Sequence, residues 1–156
     1  MLSVYPKMPV TPYILLAEDD EDDSIEFSDA FNELGLNLEL VTVNDGMALM
    51  NYLAMVKGQL PRLIFLDLNM PVKNGFECLH DLKNNKDLRD IPVIVYTTSN
   101  SKEDFEKCRE LKAHVYITKP NSFTKLKYII QKVLVTDFAN NLASKSNERL
   151  LVFREE

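Results

Sequence analysis

Four apolar runs in this chain of 156 residues each end in side chains that could do chemistry. Tyr13-Ile14-Leu15-Leu16-Ala17 runs into six acids, Glu18 to Asp23. Leu63-Ile64-Phe65-Leu66 runs into Asp67-Leu68-Asn69-Met70-Pro71. Val93-Ile94-Val95-Tyr96 is followed by Thr97-Thr98-Ser99, and His114-Val115-Tyr116-Ile117-Thr118 by Lys119-Pro120. Glu18, Asp19 and Asp67 carry the most information, because each follows a run that reads as buried strand. Three carboxylates meeting at one edge repel, and at least one keeps its proton unless a cation intervenes. Mg²⁺ suits such a set: it is a hard cation with oxygen ligands that keeps several waters exchangeable for a phosphate.

Each feature has a plainer reading. Asp20, Glu21, Asp22 and Asp23 read as solvated charge at a helix N-terminus, where carboxylates favour the dipole. An EF-hand fails, since the acidic run lacks the glycine at the sixth loop position. A single lysine such as Lys119 is ordinarily a surface residue, and Thr97 suits a strand by propensity alone. Pro120 restricts the backbone of Lys119, and a cis Lys119–Pro120 bond would steer the ammonium over the other ends.

The elements that must position these residues alternate. Runs that are apolar at every position suit strands buried on both faces. Leu38–Val43 and His114–Thr118 are more mixed, as edge strands are. Between the runs, apolar residues recur at helical spacing: Phe27, Ala30, Phe31 and Leu34; then Leu49, Tyr52, Leu53 and Val56. The pattern continues with Phe76, Leu79 and Leu82 after Asn74-Gly75, with Phe105, Cys108 and Leu111 after a Ser101 cap, and with Leu126, Ile129, Ile130 and Val133. The order is (βα)5, which predicts an α/β domain with a doubly wound parallel sheet. With the two mixed strands as edges, the second and fifth are expected outermost and the strand order is 2-1-3-4-5. Ligands of such sheets bind beyond the carboxyl ends of the strands, beside the switch point between strands one and three.

Composition narrows the function. Lys and Arg number 18 against 24 Asp and Glu, a net charge of −6, the wrong sign for a surface that binds nucleic acid nonspecifically. No apolar run approaches the length of a membrane span, and the start shows no secretory pattern. The expectation is a cytoplasmic protein without DNA or membrane binding. Cys78 and Cys108 make no CxxC pair and read as packing residues.

Taken together, these residues resemble the receiver domain of two-component response regulators, the flavodoxin-like chemotaxis-regulator family, over residues 13–135. Glu18-Asp19 stands at the family's acidic pair and Asp67 at its phospho-accepting aspartate. Thr97 stands at the switch hydroxyl, Tyr116 at the switch aromatic and Lys119-Pro120 at the closing pair. Asn69-Met70-Pro71 and Asn74-Gly75 look like the loop after that aspartate. The intervals of 30 residues from Asp67 to Thr97 and 22 from Thr97 to Lys119 equal those of compact members. The resemblance implies a phosphoprotein switch and not a conventional enzyme. Asp67 would take a phosphoryl group from a sensor histidine kinase or a histidine phosphotransfer protein, or slowly from small donors, and lose it slowly. Asp19, Asp67 and the Asn69 carbonyl would hold Mg²⁺, with Glu18 reaching it through water. Thr97 and Tyr116 would then move, altering the fourth helix, fifth strand and fifth helix for a downstream protein partner. The Glu-Asp pair in place of Asp-Asp, and Thr98 where many members have alanine, depart from the family pattern without removing a required group.

Residues 1–12 read as an N-terminal arm and 136–156 as a C-terminal extension too short for an output domain. Asn140–Asn147 is polar, and Leu150-Leu151-Val152-Phe153 is apolar. That run is expected to pack on its own domain, or to add a strand or a homodimer contact beside the fourth helix–fifth strand–fifth helix face. Small single-domain regulators that partner phytochrome-type or hybrid kinases look similar in size and tail. Two other functions compete. A receiver-fold adaptor indifferent to phosphorylation would have no use for Asp67, Thr97 and Lys119 together. A haloacid-dehalogenase-like phosphatase needs a second aspartate where Asn69 stands.

Overall fold

The structure of the chain, a computed structural model, describes residue 9, residues 12–135 and the backbone of residues 151–153. Alternation along the strands explains the unbroken apolar runs. In β1 (Tyr13–Ala17), Tyr13, Leu15 and Ala17 face one layer of helices while Ile14 and Leu16 face the other. The same split recurs in β3 (Ile64–Leu66), where Phe65 opposes Ile64 and Leu66, and in β4 (Val93–Thr97). A strand that is dry on both sides has no polar face to show.

The two layers differ. Helices α1 (Glu21–Glu33) and α5 (Phe123–Val135) pack together on one face, contributing Phe27, Ala30, Phe31, Leu126, Ile130 and Val133. Helices α2 (Gly46–Met55), α3 (Gly75–Lys83) and α4 (Lys102–Glu110) cover the other, where Leu49, Tyr52, Leu53, Cys78, Leu79, Leu82 and Cys108 are buried. Each helix start is specified locally. Asp20, Asp45, Asn74 and Ser101 accept hydrogen bonds from backbone N–H groups in the first turns of α1 to α4. Asn74 and Glu77 form a reciprocal capping box.

All strands are parallel, with β2 (Glu39–Val43), β1, β3, β4 and β5 (Val115–Thr118) in the expected order 2-1-3-4-5. β5 is not outermost, however. A sixth strand, β6 (Leu151–Phe153), pairs parallel with it, with Leu151, Val152 and Phe153 opposite Val115, Tyr116 and Ile117. The mixed character that suggested an edge comes from His114 and Thr118 at the strand's margins; Val115, Tyr116 and Ile117 are all buried. The extension thus supplies the added strand, while Asn140–Asn147 and most of the arm at 1–12 lie outside the described residues. No helix among the described residues is long and apolar enough to cross a membrane.

The cysteines are buried as packing residues, and burial pushes both thiols up to about 12. His114, just before β5, is buried as well. Its backbone N–H donates to the Val93 carbonyl (3.0 Å), and its Nδ1 accepts from the Val93 N–H (3.1 Å). That second bond requires the neutral ring. Burial, helped by the nearby Lys83 charge, lowers the His114 pKa from 6.5 to about 4. The unfolded chain therefore binds a proton at a higher pH than the folded one. The stability from this group is complete above pH 6.5 and declines as pH falls towards 4, by up to about 1.4 kcal/mol per pH unit. Urea unfolding at stepped pH should show this decline in the parent and lose one proton's slope in His114→Asn, whose side-chain oxygen can still accept. Equal slopes in the two proteins would refute the assignment.

Candidate phosphoryl-transfer site

Backbone hydrogen bonds at the carboxyl edge bring the strand ends together. The Glu18 N–H donates to the Val43 carbonyl (3.0 Å), Asp67 N–H to Ala17 (3.1 Å) and Lys119 N–H to Thr97 (2.7 Å). With the pairing of β3 on β4, five strand ends distant in sequence are thereby held in one row, and their side chains follow.

Glu18 and Asp67 are buried, and Asp19 is exposed beside them; each offers a carboxylate oxygen within 4.8 Å of the others. Lys119 reaches into this group from the end of β5. Its Nζ donates to Glu18 Oε1 at 2.5 Å, to Asp23 Oδ2 at 2.9 Å and to Asp67 Oδ2 at 3.4 Å. It also lies 5.2 Å from the Tyr96 ring centre, a favourable place for a cation. Tyr96 in turn packs edge-on against Phe27 and Phe65, whose rings also meet edge-on. The Lys119–Pro120 peptide is trans, so the ammonium arrives without the cis bond considered from the sequence.

Charge and burial oppose each other here. Burial is the main cause that pushes the Glu18 carboxyl up to about 9, with Asp67 adding to the rise and Lys119 opposing it. For Lys119, burial disfavours the charge, but the hydrogen-bonded Glu18 and Asp23 carboxylates outweigh it and raise the ammonium above its ordinary range. Burial acts on Asp23 too, and the Lys119 hydrogen bond overrides it, so Asp23 is lowered.

The donor set fits a hard divalent cation. It consists of carboxylate oxygens from three residues, and Glu18 Oε2 is buried with no hydrogen-bond partner. An unsatisfied buried carboxylate oxygen is costly, and a cation or its water would satisfy it. The Asn69 N–H donates to Asp67 Oδ1 at 3.3 Å, which orients the carboxylate from the loop side. An open cleft of about 690 Å³, lined by Ser24, Asn44, Met47 and Val72 among others, leads in to Glu18.

The loop after Asp67 is clamped from two sides. A Cβ on Gly75 would sit 2.2 Å from the Asp67 carbonyl oxygen, and one on Gly46 would sit 2.0 Å from that of Lys73. Only glycine permits these approaches of α3 and α2. Within the loop, the Lys73 N–H donates to the Pro71 carbonyl (2.7 Å) around Val72 at φ +67°. A β-branched residue adopts that conformation only when its surroundings impose it.

Thr97 is fully buried at the end of β4, and its Oγ1 accepts from the Ser99 N–H at 3.2 Å. Tyr116 is buried in β5; its hydroxyl donates to the Ser99 carbonyl at 2.8 Å, and its ring packs edge-on against Phe105 of α4. Ser99 Oγ donates to Asp104 Oδ2 in the first turn of α4 at 2.6 Å. The hydroxyl and the aromatic chosen from the sequence therefore hold the two ends of one residue. Two members of the site are not marked by the sequence: the pattern reads Asp23 as solvated charge and Tyr96 as strand core. A helical turn beginning at Asp20 puts Asp23 on the side of α1 facing the strand ends, and that spacing was the available signal.

A family model described as the response regulator receiver domain matches residues 14–131. Response regulator Rcp1 of Synechocystis sp. is 37% identical over 125 residues, covering 77% of this chain and 84% of that protein. Probable methanogenesis regulatory protein FilR2 of Methanothrix harundinacea is 36% identical over 123 residues, covering 77% and 79%. Among solved structures, the phosphorylated cyanobacterial phytochrome response regulator RcpA has a TM-score of 0.74 at 34% identity, over 81% of this chain and 96% of that one. The Mn²⁺-bound form of Rcp1 has a TM-score of 0.71 at 36% identity, over 78% and 91%.

Crowding three carboxylates around one ammonium should cost folding stability when no divalent cation is present. In chelator, Asp67→Asn is expected to unfold at higher urea than the parent, by about 1 kcal/mol. Added Mg²⁺ should narrow the difference by stabilising the parent more. A variant less stable than the parent in chelator would contradict this.

Proposed function

The chain belongs to the response regulator receiver domain family, and from that premise we propose that it is a signalling switch phosphorylated on Asp67 in a Mg²⁺-dependent reaction. The observation that carries this reading is the meeting of Glu18, Asp19, Asp67 and Lys119 at one edge, with a buried carboxylate oxygen left unsatisfied.

In the proposed reaction an Asp67 carboxylate oxygen attacks the phosphorus of a phosphohistidine or of acetyl phosphate. The bond from phosphorus to the donor breaks as the bond to Asp67 forms, and the donor leaves with the electron pair. Asp19, Asp67 and the Asn69 carbonyl would hold Mg²⁺, Glu18 through water, and the ion would offset charge on the phosphoryl oxygens. Lys119, already within 3.4 Å of Asp67, would meet the same charge once it turns to the phosphoryl oxygens. The Asn69 N–H keeps Asp67 aimed. Strong conventional catalysis is not expected, because the acceptor is the protein itself.

Propagation would run through Ser99. When Thr97 Oγ1 turns to a phosphoryl oxygen, the Ser99 N–H loses its acceptor. Tyr116 and Asp104, both bonded to Ser99, are then free to shift with it, altering the α4–β5–α5 face. The donor would be a sensor histidine kinase or a histidine phosphotransfer protein. The name of the RcpA relative supports a phytochrome-type kinase in that role. The output would be a downstream protein partner, with self-association through the α4–β5–α5 face or the extension that carries β6. This reading makes the chain a cytoplasmic protein.

Intact mass after incubation with acetyl phosphate and Mg²⁺ tests the reading. One added phosphoryl group is expected in the parent, and none in chelator or in Asp67→Ala. No addition from acetyl phosphate or from a phosphorylated histidine donor, in a chain that still binds Mg²⁺, would refute it.

A further inference from the structure

Lys119 has three N–H groups and three carboxylates to meet them, and the nucleophile holds the longest of the three contacts. Glu18 is at 2.5 Å, Asp23 at 2.9 Å and Asp67 at 3.4 Å. The resting ammonium is thus drawn towards β1 and α1 and away from the residue it must serve. If Asp67 gains a phosphoryl group, Lys119 has to turn to the new oxygens, and one of the other contacts must open.

The two candidates differ in what they would lose. The Glu18 side chain is 0% exposed and already has one oxygen without a partner. Removing Lys119 from it would leave a fully buried carboxyl group with no hydrogen-bond partner on either oxygen. The Asp23 side chain is 35% exposed, so water can replace the lysine at small cost. Asp23 is also presented from a fixed position. Its N–H donates to the Asp20 cap at 2.9 Å, and the next residue's N–H donates to the Asp20 carbonyl at 2.9 Å.

We propose that Asp23 is a positioning residue that tethers Lys119 in the unphosphorylated chain and releases it when Asp67 is phosphorylated. This rests on the reading of Asp67 as the phospho-acceptor. The tether opposes phosphorylation, because the contact must open before Lys119 can meet the charge developing on the transferred phosphoryl group. It has no part in hydrolysis, since in the phosphorylated chain the contact is already open. Asp23 therefore sets how readily the site accepts a phosphoryl group without setting how long it keeps it.

The test is the pair of rate constants, phosphorylation by acetyl phosphate with saturating Mg²⁺ and loss of the phosphoryl group after the donor is removed. In these transfers the acetate leaves as the phosphorus–oxygen bond to Asp67 forms, and water later cleaves that bond to give phosphate. Asp23→Asn should phosphorylate about two- to fivefold faster than the parent, the worth of a partly exposed ion pair, with the loss rate unchanged. Asp22→Asn, which removes the same charge from an exposed neighbour, should leave both rates as in the parent. Asp23→Glu should return the phosphorylation rate towards the parent's. An unchanged or slower phosphorylation rate in Asp23→Asn, an equal rise in Asp22→Asn, or an equal change in the loss rate would each overturn the tether while the parent's phosphorylation leaves the receiver reading intact. A parent that takes no phosphoryl group from any donor would overturn both.

Discussion

A single ammonium held among three carboxylates, at the dry end of a sheet, is the constraint on which the other features turn. Lys119 would not be there without the backbone bond from its N–H to the Thr97 carbonyl, nor would its charge be tolerable without Glu18, Asp23 and Asp67. Glu18 and Asp67 depend on it in turn, since both are buried where water cannot replace the ammonium as a partner. The fold serves this arrangement directly. Two layers of helices keep the strands dry on both faces, so polar groups from the strand ends can meet only at the carboxyl edge. Short caps fix where each helix starts, and so how wide the cleft at that edge opens.

The imbalance of one cation against three acids also gives the site its chemistry. Glu18, Asp19 and Asp67 would hold a divalent cation, and Glu18 and Asp67 already meet the Lys119 ammonium. A phosphoryl group on Asp67 would add negative charge beside Lys119. The resting contacts of Lys119 are then in competition with the phosphoryl oxygens, and so is the bond from Ser99 to Thr97. The resting hydrogen bonds at stake are few and specific. Ser99 links them to α4 through Asp104 and to β5 through Tyr116, and Phe105 of α4 packs on the Tyr116 ring.

Much of this was legible in the sequence for a physical reason. A strand buried on both faces must be apolar at every position, so Tyr13–Ala17 and Val93–Tyr96 declare themselves, and any charged or hydroxyl group directly after such a run sits at the sheet's edge. Glu18, Asp67 and Thr97 were found in that way and Lys119 after a more mixed run, and the strand order followed from taking the two mixed strands as edges. Asp23 was not, because a carboxylate in the first turn of a helix is already explained by the cap and the dipole. Its partner lies 96 residues away, a pairing that no local pattern encodes. Tyr96 was hidden for the opposite reason: within an apolar run nothing marks the one ring that faces a lysine. The place of β5 was misjudged because polar residues at its margins imitate an edge strand, and its pairing with β6 depends on a segment well beyond α5.

The account's central claim is that Lys119 and a divalent cation share the same carboxylates, and calorimetric titration of Mg²⁺ tests it most directly. If they compete for one pool of negative charge, Lys119→Met should bind Mg²⁺ more tightly than the parent and Asp67→Asn more weakly. Weaker binding in both variants, or unchanged binding in either, would contradict the claim.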